Sequence, residues 1–327
     1  MVEFNCSSVD CLLEKYYLST MYSLEFIFGI LGNGLVMFGY LFCMRKWSSG
    51  SIYLFNLCLS DFTFLCTLPL LIQSYAKGHW IFNALLCYSN RYLLHANLYT
   101  SILFLTFISI DRYLIIKFPF KDHLMQRKVM AGTISIGIWI VVMLEIAPIL
   151  FFIELSQNSQ CLSYGSSGMA AYSLIYSICL TLTGFIIPLC TMCVFYMKMV
   201  RFLRNRSENL RSSISLEKPL TLVSVAVIVF FILFTPYHIM RNVRIASRMD
   251  SLQLSNETMI TINSIYVISR PIAFLNSVIN PVFYFLMGDN FREMLLARFR
   301  HLLQVIKCRC VYGFTSSCNQ SRSYTTD

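Results

Sequence analysis

Seven long apolar runs, at about 18–43, 51–76, 85–116, 129–153, 170–200, 219–246 and 259–286, alternate along the chain with short polar connections. Each reaches the roughly 20 apolar residues that carry a helix across a bilayer's hydrocarbon core. Several are longer, so tilting or protrusion is expected. The pattern predicts an all-α membrane protein, a seven-transmembrane helix bundle over 18–286 that follows an extracellular amino terminus at 1–17. The connections leave no room for a separate soluble domain. After the seventh run, Phe291, Met294, Leu295, Phe299, Leu302 and Ile306 recur at helical spacing with Arg292, Arg298 and Arg300 between them. That spacing predicts a short amphipathic helix lying on the inner membrane surface over 289–306, then a cytoplasmic tail at 307–327. No internal repeat is evident, which argues against a secondary transporter.

Composition agrees with the pattern. The chain is 57% hydrophobic and 13% charged, against about 25% charged in a typical soluble domain. Its basic residues are unevenly placed. Arg45 and Lys46, Lys117, Lys121, Arg127 and Lys128, and the group from Lys198 to Lys218 fall in alternate loops, and the tail adds Arg292 to Arg322. That side is expected to be cytoplasmic, with the amino terminus outside. The net charge of +10 then reflects this bias and attraction to anionic inner-leaflet lipid rather than a nucleic-acid footprint. Met1–Asp10 lacks a basic segment followed by an apolar core, so no cleavable signal peptide is expected and the first span serves as its own insertion signal.

Of the 13 cysteines, Cys6, Cys11, Cys87 and Cys161 fall on the oxidising side, and the six at Cys43, Cys58, Cys66, Cys179, Cys190 and Cys193 lie in or beside spans as small hydrophobes. Four outer cysteines allow three pairings. The expected bond joins Cys87 to Cys161, tying the loop before span 5 to the outer end of span 3; a Cys6–Cys11 bond is left open. Asn5 and Asn256 stand in outward-facing N-glycosylation sequons. Cys308 and Cys310 follow the surface helix where palmitoylation would pin its end.

Polar groups at membrane depth are costly, and each calls for a partner or a function. Asp61 lies mid-span, with Asn33, Ser101, Asn276 and Asn280 at comparable depth; together they predict a polar cluster holding water or a sodium ion. Asp111-Arg112-Tyr113 is a charged pair at the inner membrane edge. Pro188, Pro236 and Pro281 interrupt spans 5, 6 and 7, each removing a backbone hydrogen bond and permitting a kink on which half a helix can swing.

The other half of the bundle is cationic. Arg91 lies one turn into span 3 with His95 one turn deeper on the same face, Arg241 and Arg244 occupy the outer part of span 6 with Arg248 at its end, and Arg270 sits high in span 7. Arginines from three helices at similar depth, without matching acids, predict an anion site; Glu14 and Glu25 are the nearest internal neutralisers. A guanidinium matches a carboxylate bidentately, so arginines on facing helices suit a ligand with a carboxylate at each end. Tyr22 and Tyr75 are placed to add hydroxyl donors, and His95 to tune the charge.

Taken together these residues resemble the rhodopsin-class G-protein-coupled receptors along almost the whole chain. The matching positions are Gly32-Asn33, Asp61, Trp80, Cys87, Asp111-Arg112-Tyr113, Trp139, Pro188 with Tyr196, Phe230 with Pro236, and Asn280-Pro281 through Tyr284. The resemblance implies that Arg112 binds a heterotrimeric G protein once span 6 moves, with Tyr196 and Tyr284 swinging in to support it. Phe120, in the loop after span 3, is expected to plug an apolar pocket on that partner. Two departures stand out: Phe234 occupies the usual tryptophan position before Pro236, and the usual acidic partner for Arg112 is replaced near Leu216, beside Glu217. Span 7 has no lysine, which excludes a retinal Schiff base there.

Within that class, Ser89–Phe104, Phe234–Arg248 and Arg270–Ser277 resemble the branch that senses nucleotides and carboxylates. The likeness implies that Arg91, His95, Arg241 and Arg270, with Tyr22 and Tyr75, bind succinate, and that coupling runs to the inhibitory G-protein class with the phospholipase-activating class second. It implies no cofactor beyond an allosteric sodium ion at Asp61, and a phosphorylated tail would engage arrestin. Leu162-Ser163 follows Cys161 where relatives carry an acidic residue. The same fold with 2-oxoglutarate or a nucleotide as ligand is the sibling reading; an anion transporter or channel is the rival from another class, since arginine rings also line anion pores. No His-Glu-x-x-His motif or nucleophile–base pair points to an enzyme.

Overall fold

The computed structural model describes residues 9–44, 46–118, 126–155, 161–207, 217–287, 296, 297 and 300; within these, the side chains of 10, 154, 155, 206, 207, 217–223, 250 and 283–287 are not described. Seven helices are long and apolar enough to cross a membrane: Leu13–Cys43, Ser49–Lys77, Ala84–Lys117, Lys128–Phe151, Ala170–Asn205, Ser224–Ala246 and Asn256–Val282. They are spans 1 to 7 below. Asn5, Cys6, Phe120, Leu216, Cys308, Cys310 and nearly all of 289–306 lie outside the described residues, as does the side chain of Tyr284.

Span 1 begins earlier than the apolar run suggests. A helical turn at Val9–Leu12 leads directly into it. The extension has a reason: the Tyr17 hydroxyl donates to the Ile268 carbonyl of span 7 at 3.0 Å, anchoring that turn. Span 3 runs through the middle of the bundle, with 78% of its apolar window buried against at most 44% in any other span. Apolar side chains such as Leu31, Ile136, Leu144, Ile187 and Phe231 point outward, where lipid would cover them. Polar side chains join the spans at matched depths. Trp139 donates to Asn56 at 3.1 Å, Tyr92 to the Met143 carbonyl at 2.8 Å, and Ser177 to Asn242 at 2.6 Å.

The prolines act less directly than the sequence suggests. Span 7 breaks at Leu275, between Asn256–Phe274 and Asn276–Met287, one turn after Pro271; Pro281 lies inside the second piece. Pro281 cannot donate to the Ser277 carbonyl one turn before it, and Asn33 of span 1 donates there instead at 2.8 Å. Gly32 makes the approach possible, since a Cβ there would stand 2.8 Å from the Pro281 ring. Span 5 leaves α geometry in a wide turn at Leu182–Ile186, just before Pro188. Span 6 is one continuous helix, Glu217–Ala246, through Pro236.

Between spans 4 and 5, strands β1 (Glu154–Leu155) and β2 (Cys161–Leu162) pair antiparallel, with Leu155 opposite Cys161. Cys161 is bonded to Cys87, as expected, with Cα atoms 5.8 Å apart. Cys11 is also disulfide-bonded.

Gly184, in the wide turn of span 5, packs on Tyr99: an added Cβ would lie 2.5 Å from the ring. Because the Tyr99 ring is buried and its hydroxyl is bonded, Gly184→Ala is expected to destabilise the bundle by about 1–3 kcal/mol. Thermal unfolding of the purified protein checks this; an unchanged melting temperature would refute the close packing.

Candidate functional site

Three buried arginines form the centre of one end of the bundle. Arg91, Arg241 and Arg270 expose 6%, 0% and 7% of their surface. Among the described residues the one ion pair is Arg112 with Asp111, at 3.9 Å, so none of the three is paired with a carboxylate. Glu14 forms no such pair and acts on Arg270 only through space, and Glu25 is buried with both carboxyl oxygens unpartnered. Isolated charges at membrane depth cost roughly 2.5–3.5 kcal/mol near a helix centre and less toward its ends.

Neutral oxygens and aromatic faces hold the guanidiniums instead. Arg91 and Arg270 converge on one hydroxyl: both terminal nitrogens of Arg91 lie 3.4 Å from the Tyr75 oxygen, and Arg270 donates to it at 2.5 Å. Arg91 also donates to the Cys161 carbonyl at 2.6 Å, while its Nε has no partner. Tyr22 packs against Tyr75 with its own hydroxyl unpartnered. This part of the site has free donors and a single shared acceptor, which is the arrangement an anion completes.

Arg241 differs from the expectation of a third guanidinium open to the same ligand. It donates through Nε to the Ser177 hydroxyl at 3.0 Å, and to the Tyr99 hydroxyl at 2.6 Å, the Ser177 carbonyl at 3.2 Å and Thr181 at 2.7 Å. Most of its donors are thus engaged by span 5 and Tyr99. Its charge still faces the other two across aromatic rings. It sits over Tyr237 and Tyr164, Arg270 sits over Tyr266, and Tyr237 stacks on Tyr266 at 6.3 Å. Such cation–ring contacts help a buried cation without cancelling its charge. His95 lies between the groups: its Nδ1–H donates to the Arg91 carbonyl at 2.7 Å and its ring meets Tyr164 edge-on at 5.1 Å.

Tyr237 and Tyr266 were readable in the sequence. Each stands four residues before an arginine, Tyr237 before Arg241 and Tyr266 before Arg270, the spacing at which two side chains share a helix face. Tyr99, Tyr164, Ser177 and Thr181 carry no comparable signal, because their roles depend on how neighbouring helices and a loop face span 3 and span 6.

Beneath Arg241 a column of buried side chains descends span 6. His238, Phe234 and Phe230 follow on the same face; Phe230 meets Phe234 edge-on at 4.9 Å, and Phe185 stacks on both Phe230 and His238. Phe234 is therefore a packed ring in the position where the wider family places tryptophan.

The mid-bundle cluster forms around Asp61. Its Oδ1 accepts from Asn97 at 2.9 Å, Ser277 at 2.8 Å and Ser101 at 3.3 Å, and its Oδ2 accepts from Asn280 at 2.7 Å. Asn33 joins through the Ser277 backbone, whereas Asn276 is buried but is not one of the groups bonded to Asp61. Asn97 and Ser277 take the places expected for Asn276 and Asn33. The amide oxygens of Asn33 and Asn280 are buried and unpartnered, so oxygen acceptors suited to a hard cation remain beside the carboxylate. At the far end, Ser49 donates to Asp111 at 2.6 Å beside Arg112, and Tyr113 meets Phe195 edge-on. Tyr196 packs partly buried against that cluster.

Residues 32–284 match the family described as 7 transmembrane receptor (rhodopsin family). Proteins called Succinate receptor 1 from Rattus norvegicus and Mus musculus are each 57% identical over 299 residues, covering 90% of this chain and 94% of theirs. A purinoceptor of Homo sapiens is 36% identical over 301 residues, covering 89% of this chain and 79% of its own. With seven membrane-length helices, a Cys87–Cys161 bond and a family match across the bundle, the chain belongs to the rhodopsin family of seven-transmembrane receptors.

Proposed function

We propose that this receptor senses an extracellular small dicarboxylate, succinate, and activates a heterotrimeric G protein, chiefly of the inhibitory class. The observation that carries the reading is the convergence of Arg91 and Arg270 on the lone Tyr75 hydroxyl, with neither paired to a carboxylate among the described residues. Identity of 57% to two proteins called Succinate receptor 1, across nine-tenths of the chain, supports the choice of diacid. The purinoceptor likeness at 36% keeps a nucleotide as the second reading. The basic loops favour the Arg91 end as extracellular and the Arg112 end as cytoplasmic.

In this mechanism one carboxylate takes the Arg91–Arg270 donors beside Tyr22 and Tyr75. The other draws on the charge of Arg241, with His95 between. Attraction to spans 3, 6 and 7 together favours a state in which they close on the ligand, and only such differential affinity can shift the equilibrium. Arg241 is continuous with His238, Phe234 and Phe230 down span 6, so its displacement repacks that column. Span 6 then swings about Pro236 and opens a cleft beside Arg112, where Phe120 of the next loop assists docking of the partner. Asn5 and Asn256 are the glycosylation sites, Cys308 and Cys310 the palmitoylation sites, and the tail the arrestin contact in the same reading. Asp61, Ser101, Ser277, Asn97 and Asn280 would hold sodium, whose positive charge would stabilise the resting bundle.

Arg270→Ala removes one side of the anion clamp. Succinate-evoked signalling in cells expressing it at wild-type surface levels is expected to lose about 2–5 kcal/mol of ligand affinity, a potency drop of roughly 30-fold or more. Equal potency would exclude these arginines as the place where succinate binds. For the ion, exchanging choline for sodium should stabilise the purified wild-type protein by roughly 1.4 kcal/mol at ten times the dissociation constant. Asp61→Asn should abolish that gain, and a sodium effect of equal size in both proteins would count against the cluster.

A further inference from the structure

The loop between spans 4 and 5 roofs the arginine site, and its attachments are unequal. On the span 3 side it is covalently held through Cys161 to Cys87, and the Cys161 carbonyl accepts from Arg91. On the span 7 side Gly165 packs so close to Tyr266 that an added Cβ would lie 3.1 Å from its hydroxyl. On the span 6 side a single guanidinium gathers three carbonyls. Arg248 donates through one terminal nitrogen to Ser167 at 3.0 Å and Gly165 at 3.4 Å, and through the other to Gly168 at 2.7 Å. The loop it holds is already folded on itself, since the Ser166 and Ser167 amides donate to the Ser163 carbonyl at 2.8 and 3.1 Å. That fold presents Tyr164, buried with an unpartnered hydroxyl, to both Arg241 and His95.

We propose that Arg248 is a positioning residue: it clasps 165–168 to the head of span 6, so that Tyr164 covers the anion site and moves with span 6. The inference rests on the reading of this site as a succinate site. A bound diacid can leave past Tyr164 only when the clasp opens, so Arg248 sets residence time more than the size of the response. Charge-assisted hydrogen bonds to carbonyls are the stronger kind, and a planar fork reaches several at once where an ammonium reaches fewer.

The test uses the full-length receptor in lipid nanodiscs and in cells, as wild type, Arg248→Ala and Arg248→Lys. Hydrogen–deuterium exchange without ligand should rise in 161–168 for Arg248→Ala, with span 3 unchanged. Signal decay after succinate washout should accelerate about tenfold with the maximal response kept, the loss expected on removing one such group of hydrogen bonds. Arg248→Lys should restore part of both effects. If Arg248→Ala fails to reach the surface, Arg248→Gln, which keeps amide donors without the fork, replaces it. Unaltered exchange in 161–168, or raised exchange with unaltered washout, overturns the proposal. A wild type silent to succinate instead overturns the ligand assignment, and ligand-free exchange still decides the clasp.

Discussion

Buried positive charge without its own counter-charge is the constraint around which one half of this bundle is organised. Arg91, Arg241 and Arg270 come from three helices, and no described carboxylate lies within ion-pair reach of any of them. Their donors end on hydroxyls, carbonyls and tyrosine faces, which satisfy hydrogen-bonding geometry but leave the charge in place. Charges in that condition repel one another and favour any anion that reaches them. Tyr75 bridges Arg91 and Arg270, and the Tyr237–Tyr266 ring pair links spans 6 and 7 beside Arg241 and Arg270.

Halfway down the bundle the buried carboxylate of Asp61 has its hydrogen-bond partners in place, and that separates scaffold from switch. Asp61 receives four hydrogen bonds from spans 3 and 7. The carbonyl that Pro281 leaves free is taken by Asn33, so the proline weakens span 7 without leaving an unsatisfied group. Asp111 by contrast holds Arg112 only at 3.9 Å. A loosely held charge at one end and unneutralised charge at the other leave the two ends of span 3 more responsive than its middle. Span 6 connects them through Arg241, His238, Phe234 and Phe230, a line of side chains three or four residues apart on one face.

Charge also accounts for the architecture of the roof. A loop over a cationic site would be repelled if it carried cations and would compete with the ligand if it carried carboxylates. The 161–168 segment carries neither and offers backbone carbonyls to Arg91 and Arg248 and a ring to Arg241. Within 161–168 the roof therefore contributes partial rather than full negative charge.

The amino-acid sequence alone determined that seven apolar helices exist, that Arg91, Arg241 and Arg270 lie at similar depth with His95 one turn below Arg91, and that Asp61 must have partners. These follow from run length, helical period and the cost of charge in hydrocarbon, all of which are local to one helix. Only the tertiary structure decided that Arg241 spends its donors on Ser177, Thr181 and Tyr99, and that Asn97 and Ser277 rather than Asn276 bind Asp61. It also placed the break of span 7 at Leu275 and lowered Tyr164 onto the site. Each of those depends on how one helix is rotated about its axis relative to the next, and on where a loop returns. A period read along a single helix fixes which side chains share its face, but leaves free which neighbour that face will meet.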